Sequence, residues 1–103
     1  MTITKTLNEK ELVIELEGRL DTTTSPELES ELAQSLEGVE TLIFDLRGLE
    51  YISSAGLRVL LSSQKKMSQQ GGMKVRNVNE DIMDIFDITG FTEVLTIEKA
   101  GEE

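Results

Sequence analysis

TLIFDLRGLEYISSAGLRVLL, residues Thr41 to Leu61, is the stretch on which the reading of the fold turns. Leu42-Ile43-Phe44, followed by Leu46, is the short continuous apolar run expected of a strand inside a parallel sheet. Asp45 is read as the end of that strand, and the polar residues after it as a crossing to Ser53 and Ser54. One of the two serines would occupy a helix N-cap, where a hydroxyl satisfies a backbone N–H that has no partner inside the helix. The spacing predicts a helix from about Ser54 to Gln70, bounded by Gly71-Gly72, with Leu57, Leu60, Leu61 and Met67 facing inward. Lys65 and Lys66 fall toward its negative end, where cations are favourable.

Working outward, Thr2 to Leu7 alternates as an exposed edge strand does, and Asn8-Glu9-Lys10 is a polar turn. Glu11 to Glu17 (ELVIELE) is a stronger strand with Leu12, Ile14 and Leu16 on one face, so the pair predicts a hairpin. Gly18-Arg19-Leu20-Asp21 leaves the sheet. Ser25 is the expected N-cap of the first helix and Pro26 its first helical residue. Leu28, Leu32 and Leu36 form its apolar stripe, and Gly38 closes it. After the central helix, Met73 to Val78 is another strand. Asn79 caps a third helix with Ile82, Ile85 and Phe86 inward, Gly90 ends it, and Val94 to Ile97 is the last strand. Strands alternating with helices predict one α/β domain over residues 1–103: a mixed, mostly parallel sheet of about five strands with helices packed on it.

Twenty acidic against 10 basic residues give a formal net charge of -10, which disfavours binding to nucleic acid or to an anionic membrane surface. No apolar run approaches the ~20 residues that span a bilayer, and the N-terminus alternates instead of forming a signal-peptide core. A cytoplasmic protein is expected, and a monomer, since nothing here demands a dimer. There is no cysteine and no histidine, which removes disulfides, thiol chemistry and soft-metal sites. No motif calls for a cofactor.

In open sheets, binding sites lie beyond the carboxyl ends of the parallel strands. Asp21 follows the second strand directly, and Ser53 and Ser54 arrive at the same edge. Two readings fit Asp21: a functional carboxylate, or an ordinary local hydrogen-bonder in a loop before a helix. Asp45 reads as a pin for the loop after its strand. Catalysis finds little support. Ser54-Ala55-Gly56 lacks the glycine that a nucleophile elbow carries two residues before its serine, and a Ser-His-Asp triad is impossible without histidine. No GxxxxGK[ST] loop exists, and Gly71-Gly72 follows a helix instead of opening one. A modified serine fits better: a phosphate on Ser54 would meet unpaired N–H groups and add about -1.5 to -2 units of charge, expected to fall near Asp45, Glu50 and Asp21. The plainer alternative is that Ser53 caps the helix and Ser54 only fills its first turn.

The element order, Gly18-Arg19-Leu20-Asp21, DLRGLEYISSAGLRVLL, Gly71-Gly72 and the Ile85-Phe86…Thr89-Gly90 helix end together resemble the STAS domain, specifically the bacterial anti-sigma factor antagonists. The resemblance implies a non-enzymatic switch that sequesters an anti-sigma factor with serine kinase activity and so frees a sigma factor. Phosphorylation would end the binding and a serine phosphatase restore it. It implies Ser54 as phosphoacceptor, with Ser53 as the alternative, and a partner surface of Asp21, Ser53, Ser54, Ala55, Gly56 and Arg58. The best-known members carry Asp immediately before the acceptor, where this chain has Ser53. STAS-like scaffold or binding modules that are not switched by phosphorylation are the alternative. An acyl carrier protein, also short and acidic, is all-helical and does not match the strand signals.

Overall fold

The computed structural model describes residues 1–99. Its elements are β1 (Thr2–Asn8), β2 (Glu11–Leu20), α1 (Ser25–Ser35), β3 (Thr41–Ile52), α2 (Ser54–Met67), β4 (Gly72–Val78), α3 (Glu80–Thr89), a 3-10 turn at Phe91–Glu93, and β5 (Ile97–Lys99). The five strands lie in chain order in one sheet. β1 pairs antiparallel with β2 through the expected hairpin, and all later neighbours are parallel. Parallel crossovers are right-handed, and with strands in chain order they all advance the same way. Every helix therefore falls on the same face. Leu12, Ile14, Leu16, Leu42, Phe44, Leu46, Met73 and Val75 from that face join Leu28, Leu32, Leu57, Leu60, Met67, Ile82 and Phe86 from the helices in one buried core.

The largest departure from expectation is β3. Asp45 does not end it; the strand runs on to Ile52. Relative to β2 the pairing slips twice, from Glu15↔Asp45 to Glu17↔Gly48, and from Gly18↔Leu49 to Arg19↔Tyr51. Each slip is a bulge that puts one extra residue into β3. The buried residues Leu46, Leu49 and Ile52 are consequently spaced by three, where a regular strand spaces them by two. That irregular spacing disguised the strand as a polar crossing.

Smaller departures lie at element ends. Thr24, not Ser25, is the N-cap of α1; Ser25 is the first helical residue, buried, with its hydroxyl unpartnered. Thr24 does not cap with its side chain: its hydroxyl is turned back to the loop, accepting from Asp21 N at 2.9 Å and donating to Arg19 O at 2.7 Å. α2 ends at Met67, with turns carrying the chain on to Gly71. The last strand is Ile97–Lys99: after Gly90 the chain coils through the 3-10 turn, which leaves Val94 exposed and only Leu95 buried.

The far end of α2 is stitched to the α1–β3 connection. Gln70 Nε2 donates to Leu36 O and Val39 O, both at 2.7 Å, and Gly72 N donates to Glu40 O at 2.9 Å. A β-carbon at Gly71 would lie 1.8 Å from Glu40 O, which is backbone and cannot swing away. Gly71→Ala must push the connection off and weaken that stitch. The expected loss is about 1–3 kcal/mol, read as a lower urea midpoint with an unchanged m value.

Candidate functional site

The carboxyl ends of β2 and β3 meet the first turn of α2. Leu20 and Ile52 are paired at the strand ends, and Ser53 N donates to Leu20 O at 2.9 Å. The chain then turns into α2 with Ser53 as N-cap, in extended conformation, its Oγ accepting from Gly56 N at 3.4 Å. Leu57 N reaches Ser53 O at 2.9 Å. The amides of Ser54 and Ala55 have no such partner among the described residues. Ser54 is exposed at the first helical position, and its hydroxyl bonds to no other described residue. Ala55 is half-buried and Arg58 is exposed one turn on. Gly56 is different: it is buried, and a β-carbon there would stand 2.8 Å from both Ile52 Cγ1 and Leu20 Cγ. Gly56 thus serves the edge by letting helix and sheet close up, and it offers no surface of its own to a partner.

Asp21 is held by its own loop. Its Oδ1 accepts from Thr23 N at 3.0 Å and Thr24 N at 3.1 Å, while its own N–H donates to Thr24 Oγ1 at 2.9 Å. The Thr24 amide, more than the Arg19 charge, keeps the carboxyl below its ordinary value against a smaller opposing effect of burial. These bonds are the local hydrogen bonding expected of an Asp in a loop before a helix. Oδ2 faces Arg19 Nε at 3.7 Å, and the Arg19 guanidinium lies 4.3 Å from the centroid of the Tyr51 ring. This Arg19–Tyr51 stack escaped the sequence reading; its signal, a cation and an aromatic at matching positions, exists only once the second bulge is counted. Between α1 and α2 a shallow groove of about 340 Å³ is bordered by Thr22, Ser25, Glu29, Ala55, Arg58 and Ser62.

The STAS domain family model matches residues 2–103. This chain belongs to the STAS domain family. Over 96 residues it is 30% identical to the anti-sigma-B factor antagonist of Bacillus subtilis, covering 92% of this chain and 88% of that one. Its fold matches an anti-sigma factor antagonist from Mycobacterium paratuberculosis with a TM-score of 0.85 at 22% identity, over 94% of this chain and 84% of the other. It also matches the Bacillus cell fate determinant SpoIIAA in its phosphorylated form, with a TM-score of 0.73 at 17% identity, over 93% and 90% of the two chains. Among the described residues, no helix of this STAS domain is long and apolar enough to cross a membrane.

Asp45 belongs to the opposite face of the STAS sheet, the one that none of the described helices covers. It lies seven residues before Ile52 in β3, roughly 20 Å along the strand, and so is not beside Ser54 as the sequence suggested. Buried at 5% exposure, it accepts from Asn77 Nδ2 and Arg47 N at 3.1 Å and from Arg76 Nε at 3.4 Å. Burial alone would raise its pKa; the bonds from Asn77, Arg47 and Arg76 together outweigh that and hold it below 3.8. A carboxyl depressed in the fold stabilises fully above its unfolded value and loses that contribution as pH falls through the lower folded one. The stability gap between wild type and Asp45→Asn should be constant above about pH 5 and shrink steadily toward about pH 2, as urea unfolding across that range would read.

Proposed function

We propose that this STAS domain is an anti-sigma factor antagonist, a non-enzymatic binding protein whose hold on an anti-sigma factor is switched by phosphorylation of Ser54. The observation that carries the reading is Ser54 itself: an exposed hydroxyl, engaged by no described residue, at the first position of α2 on the carboxyl edge of the sheet. The names of its relatives support the antagonist role, and SpoIIAA, which shares the fold, has a phosphorylated form.

Ser54 is favoured over Ser53 as acceptor on simple grounds. Ser53 is half-buried and its oxygen serves the cap, so a kinase would have to undo the first turn to reach it. On Ser54 a phosphate leaves that cap intact and meets the open amides of Ser54 and Ala55 at the positive end of the helix. The partner is then an anti-sigma factor that doubles as the serine kinase, with a separate phosphatase to reverse the mark. Ser53 standing where the best-known members carry Asp favours one competing reading, a constitutive STAS binding module.

Intact-mass analysis after incubation with ATP and the cognate kinase should show one added phosphate in wild type and none in Ser54→Ala. A gain that survives Ser54→Ala sinks the assignment. For binding, Ser54→Asp should weaken capture of the anti-sigma factor about tenfold or more, because like charge set against a docked surface costs more than about 1.4 kcal/mol. An unchanged affinity would favour the constitutive module.

A further inference from the structure

Arg58 follows Ser54 by four residues on α2, and both are exposed. Residues so spaced are neighbours on a helix surface, with Cβ atoms about 5–6 Å apart, and an anion N-terminal to its cation is the favourable order. Lys5, Lys10, Arg19, Lys74 and Arg76 each have a carboxylate within 4 Å. Arg58, like Arg47, Lys65 and Lys66, has none among the described residues, and of these four it alone lies one helical turn from Ser54. Glu29 of α1 borders the same groove as Arg58, and the carboxylate of Asp21, in the loop before α1, is already taken by that loop and Arg19.

We infer that Arg58 is the built-in counter-ion of a phosphate on Ser54, so that modification adds negative charge and withdraws a cation from the docking surface at once. The inference rests on the reading of Ser54 as phosphoacceptor. A guanidinium presents a planar fork that matches two phosphate oxygens, and a dianion on the same helix face competes well with the single charge of Glu29 across the groove. Before modification Arg58 is open to a partner carboxylate. Afterwards it is engaged within its own chain, and the edge of the domain turns from cation-bearing to anionic without any change of fold.

The test is a phosphate titration on the full chain with phosphoserine placed at position 54 during synthesis. The phosphorus NMR shift is followed against pH at low salt in the otherwise wild-type protein, in Arg58→Gln and in Arg58→Lys. A nearby cation favours the dianion, so the second phosphate pKa, ordinarily about 6, should be about half a unit lower with Arg58 than in Arg58→Gln. Arg58→Lys should recover part of the difference, and 1 M salt, with a screening length of about 3 Å, should largely remove it. Equal values in all three proteins at low salt overturn the inference. Because synthesis installs the phosphate, this result does not depend on whether any kinase accepts Ser54, and the two readings fail separately.

Discussion

The first turn of α2 rests on the ends of β2 and β3 so closely that position 56 has no room for a side chain. Leu20 and Ile52 fill the space where a β-carbon would point. Contact this tight fixes the angle at which the helix leaves the sheet, because the core transmits small displacements instead of absorbing them. It also explains why Ser53 can cap and Ser54 cannot turn inward. With residue 56 pressed against the sheet and Leu57 beside it in the core, the helix places residue 54 on the outside. The accessibility of Ser54 is thus set by Gly56, two residues away, and by two branched aliphatic side chains on the strands below.

A second constraint comes from strand order. Nucleotide-type sites in open α/β sheets sit at a switch point, where neighbouring crossovers part to opposite faces and leave a crevice. Strands in chain order never reverse, so this sheet has no switch point. Its carboxyl edge is a surface with a shallow groove, suited to a protein partner more than to an enclosed small molecule. The same order places all the described helices on one sheet face and none on the other. Asp45, buried there, is made tolerable by three donors, and it holds β3 to β4 through Arg76 and Asn77.

Most of the architecture was legible because regular periodicity marks it. The alternation in Glu11 to Glu17, the every-fourth leucines of α1 and the Asn79…Gly90 bracket around α3 each report one local rule; α3 fills its bracket, while β2 stays in the sheet past Glu17 to Leu20 and α1 ends at Ser35, short of Gly38. What escaped lies where two segments correct each other. The bulges of β3 arise from its register with β2, so no window of Thr41 to Ile52 alone contains them. Missing them misplaced Asp45 by most of a strand length and hid the Arg19–Tyr51 stack. Gly56 was legible as a small residue near a serine, but its burial depends on Leu20, thirty-six positions earlier. Thr24 took the cap position expected of Ser25, with its hydroxyl turned back to the preceding loop, where it accepts from Asp21 N and donates to Arg19 O.

On the proposed reading, the position of Ser54 also decides where a phosphate can be felt. Added charge acts over a screening length of about 8 Å at physiological salt, which reaches Arg58 and the loop of Asp21 but not the Asp45 cluster on the far side of the sheet. Ser54 contributes nothing to the core, and the cap belongs to Ser53, so a phosphate breaks no contact that holds the domain together. With a net charge already at -10, one more dianion alters the whole molecule little and the docking edge greatly. A switch of this kind needs no second conformation of its own. Its two states differ in what they present, and the discrimination between them is made by the surface that docks there.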